Sequence, residues 1–246
     1  MGICNQAWRS IPNCQSQIHV MPVNKSAYQQ IKAGLDRKNV ALVAVSKTKP
    51  VEDVLELYHL GQRDFGENYV QELVEKAAQL PKDIRWHFIG HLQSNKVKLI
   101  ASFVQLIHGV DSLKLLKEIN KEGEKNDRVI DCLLQVHIAQ EETKFGLNED
   151  ELDSILKESA VLKMKNVRLA GLMGMASFTD NMHLLRKEFR KLKDIFDRLP
   201  ACLPAQASSR LQILSMGMSS DYKIAIEEGS NMVRIGSLLF GEREKK

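Results

Sequence analysis

The sequence predicts an α/β fold in the form of a single (β/α)8 barrel, also called a TIM barrel. From residue 41 onward, short apolar runs alternate with amphipathic stretches, which is the pattern of strand and helix units in a parallel sheet. Eight such runs are present, and a length of 246 residues suits one barrel, which usually takes about 250. An open doubly wound sheet is the alternative, but that fold rarely has eight strands and usually begins with a glycine-rich turn.

Most strands are predicted from an apolar run that ends at polar or small residues, and the second is a short candidate at residues 63–67. The first run, Ala41–Val45, is apolar at every position, as expected of a strand that is buried on both faces. The predicted strands cover residues 41–45, 63–67, 85–89, 103–110, 132–138, 167–175, 211–216 and 232–235.

Helices are predicted from apolar residues spaced three and four apart. After the first strand, Pro50 suits the first turn of a helix that Gly61 ends. Asn148–Glu151 has the pattern of a capping box at the start of the helix after the fifth strand. A helix at 24–38 precedes the first strand and is expected to cover the bottom or side of the barrel. The remaining helices are predicted at residues 70–80, 94–101, 112–124, 182–199 and from 219 or 220 to 229.

Composition and charge exclude several classes of protein. Hydrophobic residues make up 43% of the chain and charged residues 27%, as in ordinary globular proteins. The net charge of +4 comes from basic residues dispersed among acids, so we expect no nucleic-acid partner. The sequence has no run of 18 apolar residues and no apolar signal core near its start, so we expect no membrane contact and a cytoplasmic location.

The cysteines and histidines do not predict a metal site. The four cysteines are far apart and form no C-x-x-C pair, which also argues against a redox couple. His87 and His91 are four residues apart, but they lie across a strand end rather than on one helix. The cysteines are Cys4, Cys14, Cys132 and Cys202.

Lys47 is the first candidate for chemistry. Functional residues of barrels lie at the carboxyl ends of the strands, and Lys47 follows the first strand on the same face as Val43 and Val45. Partial burial there would lower the pKa of its amine and make the amine a nucleophile toward a carbonyl. A surface lysine at a strand end is the alternative interpretation.

Two segments rich in small residues indicate a phosphate site. Ser215–Asp221 forms a turn into a helix, where free backbone N–H groups attract phosphate. Gly236 and Ser237 follow the eighth strand and offer a close backbone approach and a hydroxyl. Barrels often bind phosphate with the loops after strands seven and eight. The two segments together therefore indicate a phosphate site more strongly than either segment alone. Each segment alone is also typical of an ordinary turn.

Arg234 is expected to face the interior of the barrel mouth, because Val233 and Ile235 should face the outer helices. A buried cation requires an acceptor, since leaving it unpaired is costly. A ligand could supply that acceptor. The alternative is a salt bridge to a strand-end acid such as Glu67.

Five ordered motifs carry a resemblance to a known family: Val45–Pro50, Phe65–Glu72, Trp86–Gly90 with Leu92–Lys96, Ser215–Ser219 and Val233–Gly236. Together they resemble the pyridoxal phosphate homeostasis protein family, also called the YggS/PROSC family. The resemblance covers about residues 41–243 and implies a barrel similar to the N-terminal domain of alanine racemase, of PLP fold type III. It also implies that pyridoxal 5'-phosphate (PLP) is held as a Schiff base.

The resemblance implies roles for individual residues. Lys47 matches the lysine that forms the Schiff base, and Arg234 matches the arginine directed at the pyridine nitrogen. Asn68 lies in the motif that lines the site near the cofactor. The phosphate-binding positions of the family correspond here to Ser219, Gly236 and Ser237.

Two features depart from the family pattern. Ser237 stands where the family more often has Thr, which keeps the hydroxyl. Residues 1–23 have no family counterpart, and we expect them to form a poorly ordered N-terminal extension. The expected PLP-binding barrel then covers residues 24–246.

The implied role of Arg234 bears on activity. A guanidinium stays protonated and only donates, so the ring nitrogen of PLP stays unprotonated and the cofactor is a poor electron sink. We therefore expect a PLP carrier in vitamin B6 homeostasis rather than an enzyme, a monomer or weak dimer that supplies PLP-dependent apoenzymes.

Two other functions are weighed against this one. A PLP-dependent amino-acid racemase would need the base that a second domain supplies in alanine racemase, and one barrel accounts for nearly all of these 246 residues. The third possibility is a barrel that binds a different phosphorylated metabolite.

Overall fold

The computed structural model describes residues 23–141, 145–202 and 211–242. Eight parallel strands form one closed barrel in chain order, and the eighth strand pairs with the first. The predicted fold class is therefore confirmed. The extension predicted for residues 1–23 lies, except for Val23, outside the described residues. No helix in the described part of the chain is long and apolar enough to cross a membrane.

The strands form where the apolar runs predict them, with small shifts at their ends. The first and last strands have the predicted bounds. The fourth begins at Leu106 rather than at Phe103, because the N–H groups of Phe103 and Val104 donate back to Ile100 O in a turn. The strands are β1 (Ala41–Val45), β2 (Asp64–Glu67), β3 (Arg85–Phe88), β4 (Leu106–Val110), β5 (Ile130–Val136), β6 (Val167–Gly174), β7 (Ile213–Ser215) and β8 (Met232–Ile235).

Helices surround the barrel. The predicted capping box is present, because the side chains of Asn148 and Glu151 each accept a hydrogen bond from the other's backbone N–H. The predicted helix after β3 is a 3-10 helix, Ser94–Leu99. Two four-residue helices are too short to produce a periodic pattern and were not predicted. The α-helices are α1 (Lys25–Asp36), α2 (Val51–His59), α3 (Val70–Gln79), α4 (Leu113–Lys125), α5 (Glu149–Lys157), α6 (Ser159–Leu162), α7 (Met182–Cys202), α8 (Tyr222–Glu227) and α9 (Ser237–Phe240).

The helix before the first strand packs on the side of the barrel, as predicted. α1 contacts β1 and the short helix α9. The N–H of Asn24 donates to Leu239 O over 2.8 Å, and the Asn24 side chain accepts from the N–H of Ala27 and so begins the helix. The amino end of α1 is thereby joined to the segment that follows β8.

Strand side chains alternate between two cores, because successive residues point to opposite faces. Leu42 and Val233 belong to the outer core between strands and helices. His108 on β4 contacts Ser215 on β7, two strands that are not neighbours, so polar groups also occupy the barrel interior. The apolar inner core consists of Val43, Leu106, Leu133, Ala170, Met173 and Met232.

The register of β1 brings three loops together at the carboxyl end of the barrel. Val45, the last residue of β1, pairs with Gly66 of β2. On the other side, Ala44 pairs with Ile235, the last residue of β8. The loops that follow β1, β2 and β8 therefore begin next to one another.

Candidate functional site

The predicted site residues follow β1, β2, β7 and β8 at the carboxyl end of the barrel, except for Arg234, which lies within β8. Lys47, Asn68, Ser219 and Gly236 are half-buried, and Ser237 is exposed. This is the end at which barrel enzymes and binding proteins place their ligands.

The backbone at Lys47 forms a tight turn directly after β1. The N–H of Ser46 donates to Gly66 O, and the N–H of Lys49 donates back to Ser46 O, each over 3.0 Å. Thr48 has a φ of 64°, in the left-handed region that residues with side chains rarely adopt. Such a conformation persists only where the surroundings hold it.

A buried polar cluster holds this turn. The N–H of Thr48 donates to Glu72 Oε1 over 2.6 Å, and Ser46 Oγ donates to Glu67 Oε1 over 2.6 Å. The ammonium of Lys76 on α3 donates to Ser46 O, Glu67 and Glu72 over 2.7, 2.8 and 2.7 Å. Burial raises the pKa of the Glu67 carboxyl, and Lys76 partly offsets that rise. The loop that carries Lys47 is therefore anchored on both sides of the lysine.

The alternative interpretation of Arg234, a salt bridge to Glu67, is wrong. Phe65 belongs to the outer core, so Glu67, two residues further along β2, also points toward the helices, where Lys76 is its partner. Arg234 is 4% exposed and lies in the interior, as predicted. Its acceptors are neutral oxygens rather than a carboxylate.

The guanidinium of Arg234 is bound by two neighbouring strands. Nη1 donates to Ser215 O over 2.9 Å and to Ser215 Oγ over 2.6 Å, and Nη2 donates to Gly174 O over 3.1 Å. Burial lowers the pKa of Arg234 to about 10, and the charge of Asp221 opposes that shift. The group therefore remains a cation and a hydrogen-bond donor at neutral pH.

Sequence reasoning missed a set of polar residues behind Arg234. Ser215 Oγ lies 3.2 Å from His108 Nδ1, and His108 Nε2 lies 2.9 Å from His87 Nδ1. His87 Nε2 lies 3.0 Å from Asp64 Oδ1. The available signal was a polar residue at an inward position of an otherwise apolar strand, as at His108 in β4.

Charges and burial fix the protonation of two members of this set, His108 and Asp64. Burial, His87 and Arg234 together lower the pKa of His108 well below its usual value of 6.5. Burial alone would raise the pKa of Asp64, but hydrogen bonds from Arg85 and His87 outweigh burial and lower the pKa to about 2. At neutral pH, His108 is thus uncharged and Asp64 is a carboxylate.

His87 and His91 do not share a partner. His91 is exposed and lies 3.1 Å from Asp111 Oδ2, whereas His87 is buried against His108. The described residues contain no group of three or more His, Cys, Asp or Glu side chains that could hold a metal ion.

The loops after β7 and β8 are in direct contact. The N–H of Gly236 donates to Ser219 Oγ over 3.2 Å, and a Cβ on Gly236 would lie 3.2 Å from Val45 O. Ser237 begins α9, whose first N–H groups have no partner within the helix. The three predicted phosphate positions therefore lie beside the end of β1.

Gly217 permits the turn that carries Ser219. It has a φ of 95°, and a Cβ there would lie 2.6 Å from the Cβ of Ala225. Asp221 Oδ1 accepts from the N–H of Met218, which closes the turn and delays the start of α8 to Tyr222, later than the predicted start at 219 or 220.

Asn68 packs against the end of β3. A Cβ on Gly90 would lie 2.4 Å from Asn68 O and 2.9 Å from Asn68 Cα, so only glycine leaves room for the Asn68 backbone. The structure thus fixes the backbone of Asn68 at the barrel mouth, one loop away from Lys47.

Comparison with known proteins identifies the family. The family model described as "Alanine racemase, N-terminal domain" matches residues 25–244. A pyridoxal phosphate homeostasis protein of Aquifex aeolicus (strain VF5) is 42% identical over 214 residues, which cover 87% of this chain and 91% of that protein. The chain belongs to the pyridoxal phosphate homeostasis protein family. A member of this family from Schizosaccharomyces pombe is 41% identical over 219 residues, which cover 87% of this chain and 89% of that protein.

Two solved structures of known proteins are similar in fold to this member of the pyridoxal phosphate homeostasis protein family. PipY of Synechococcus elongatus PCC7942, solved with PLP bound, has a TM-score of 0.78 and 33% identity, covering 88% of this chain and 99% of that one. Alanine racemase of Clostridium difficile 630 has a TM-score of 0.69 at 15% identity, covering 92% of this chain and 58% of that one, and shows a shared fold alone. The sequence resemblance is confirmed.

Proposed function

We propose that this protein binds PLP at the carboxyl end of its barrel, through a Schiff base on Lys47, and acts in vitamin B6 homeostasis without catalysis. The observation that carries the proposal is the meeting of the Lys47 turn, the Ser219 and Gly236 loops and the Arg234 strand at one end of the barrel. PipY, a relative that covers 88% of this chain, has PLP bound, which supports the choice of ligand.

The groups present fit three of the polar parts of PLP, which are the aldehyde, the pyridine nitrogen and the phosphate. A primary amine at Lys47 suits the aldehyde, and a guanidinium at Arg234 suits the pyridine nitrogen, which accepts a hydrogen bond. The hydroxyl groups of Ser219 and Ser237, with the backbone beside Gly236, suit a phosphate. When bound, PLP supplies a reactive aldehyde that condenses with primary amines.

The position of the Lys47 backbone favours covalent attachment. Lys76 and its partners hold Ser46 and Thr48, the residues on either side of Lys47, so the turn has little freedom. Lys47 itself is half-buried at this turn. The turn therefore holds the backbone of Lys47, the residue proposed to form the Schiff base, at a fixed place.

Arg234 favours binding over catalysis. Its pKa of about 10 keeps it protonated at neutral pH, so it donates to the ring nitrogen and supplies no proton acceptor there. An unprotonated ring withdraws few electrons from a bound amino acid, which leaves the Cα–H bond strong. We infer that the protein holds and releases PLP for PLP-dependent apoenzymes.

Titration with PLP tests the proposal. The expected result is a visible absorbance band in the wild type that is lost in Lys47→Ala. Lys96→Ala, which removes another half-buried lysine, in the 3-10 helix between β3 and β4, serves as the matched control and should keep the band. A band of equal strength in Lys47→Ala would overturn the assignment of the lysine. If the wild type isomerises an L-amino acid and Lys47→Ala does not, the proposed absence of catalysis is wrong.

A further inference from the structure

A line of polar side chains crosses the interior of the barrel. Asp64 is the first residue of β2, at the amino end of the barrel, and Arg234 lies near the carboxyl end of β8. Between them lie His87, His108 and Ser215, on β3, β4 and β7. The consecutive polar atoms are 3.0, 2.9, 3.2 and 2.6 Å apart. The line therefore connects the two ends of the barrel by hydrogen bonds.

The charged carboxylate fixes the direction of the first bond. Asp64 is ionised and only accepts, so His87 carries a proton on Nε2 and donates to Asp64. With a neutral His87 ring, Nδ1 accepts, and the proton between the two rings sits on Nε2 of His108. We assign this proton arrangement to the line.

The same reasoning fixes the other two bonds. Neutral His108 with its proton on Nε2 accepts at Nδ1, so the Ser215 hydroxyl donates to it. The Ser215 oxygen in turn accepts from Nη1 of Arg234. All four donors point from the cation at one end to the anion at the other, an arrangement in which each bond polarises the next.

The line restricts how Arg234 can turn. Three of the five guanidinium N–H groups donate to Ser215 O, Ser215 Oγ and Gly174 O. Because Ser215 is itself bound to His108, the Ser215 hydroxyl has one orientation and offers Arg234 a lone pair in one direction. Two N–H groups of Arg234, one on Nη2 and one on Nε, have no acceptor among the described residues. These two groups can donate to a ligand.

We propose that Ser215, His108, His87 and Asp64 are positioning residues that hold the guanidinium of Arg234 in the orientation needed to contact the pyridine nitrogen of PLP. This inference rests on the proposed function, in which Arg234 donates to that nitrogen. The four residues act through Arg234 and not by touching PLP.

Substitution of Ser215 tests the inference, with Ser230 as a matched control. Ser215→Ala removes one hydroxyl with little change in shape. Ser230→Ala also removes a buried hydroxyl between β7 and β8, but its partners are the carbonyl oxygens of Leu214, Met216 and Met232.

We expect Ser215→Ala to weaken PLP binding about tenfold or more and to shift the absorbance maximum of bound PLP, because a hydrogen bond to a charged group is lost. Ser230→Ala should leave both values unchanged, and Ser215→Thr, which restores the hydroxyl, should bring the maximum back.

A measurement on the PLP-free protein tests the direction in which the hydrogen bonds of the line donate. Nitrogen-15 chemical shifts of the histidine rings should report a neutral His108 with its proton on Nε2, in agreement with its burial. A proton on Nδ1 of His108 would overturn the proposed direction. Equal PLP affinity and equal spectra for Ser215→Ala and Ser230→Ala would overturn the positioning role.

The two proposals fail in distinguishable ways. If Lys47→Ala abolishes the absorbance band while Ser215→Ala matches its control, the proposed function stands and the positioning role is wrong. If the wild type gains no band with PLP, the proposed function fails and the positioning role fails with it. The histidine shifts then still decide whether the line has the stated direction.

Discussion

The ammonium of Lys76 lies 2.8 Å from the carboxylate of Glu67, with side chains 5% and 0% exposed. Lys76 also donates to Ser46 O, directly before Lys47. A buried ion pair adds stability only when its hydrogen bonds are satisfied, and removal of one partner leaves the other charge in an apolar environment. This pair therefore links the stability of the barrel to the placement of Lys47.

Substitution Lys76→Met should lower the free energy of unfolding by about 3–5 kcal/mol, because Glu67 is left buried without its cation. Urea unfolding measures this change. Lys121→Met is the control, since Lys121 pairs with Glu118 on the surface of α4 at 57% and 29% exposure and should cost less than about 1 kcal/mol.

The double substitution Lys76→Met with Glu67→Gln should recover part of the loss, because no unpaired charge remains. If Lys76→Met costs no more than Lys121→Met, the ion pair does not support the Lys47 turn.

Substitution Gly90→Ala should destabilise the protein by about 2 kcal/mol or more, because its Cβ would lie 2.4 Å from Asn68 O, a backbone atom. Thermal or urea unfolding measures the loss. Gly34→Ala on α1 has nothing within 4 Å of the new Cβ and should stabilise the protein by up to about 1 kcal/mol. Equal effects of the two substitutions would show that the contact between β3 and the Asn68 loop is looser than described.

Stability should fall as the pH falls below 6.5, because His108 has a lowered pKa in the folded state. The unfolded chain takes up a proton at this histidine below 6.5 and the folded chain does not, so acid favours unfolding. His108 alone contributes a slope of up to about 1.4 kcal/mol per pH unit. Urea unfolding between pH 7 and pH 5 measures it.

His108→Gln should flatten that slope, whereas His59→Gln, which removes an exposed imidazole on α2, should leave it as in the wild type. A slope in His108→Gln as steep as that of the wild type would assign the acid sensitivity to other groups.

The sequence allowed the fold to be predicted because most of the strands are local apolar runs. Bounds shifted where a turn uses apolar residues, as at Phe103, which donates back to Ile100. The inward direction of Arg234 followed from alternation alone. The partner of Glu67 was not predicted, although the outward direction of Phe65 on the same strand indicates that Glu67 faces the helices.

The polar line behind Arg234 could not be predicted as a whole, because its central contact joins two strands that are not neighbours in the barrel. Contact between His108 and Ser215 depends on the barrel diameter and on the tilt of β4 and β7, which no local pattern records. The predicted phosphate positions were easier to find, since Ser219 and Gly236 follow adjacent strands.

Borohydride reduction of the PLP-treated protein, followed by mass spectrometry of its peptides, tests the central claim most directly. Reduction fixes PLP to the lysine that carries it. We predict a single modified lysine, Lys47, and no modification in Lys47→Ala. Attachment to Lys49 or Lys96 in the wild type, or equal attachment in Lys47→Ala, would contradict the claim that Lys47 holds the cofactor.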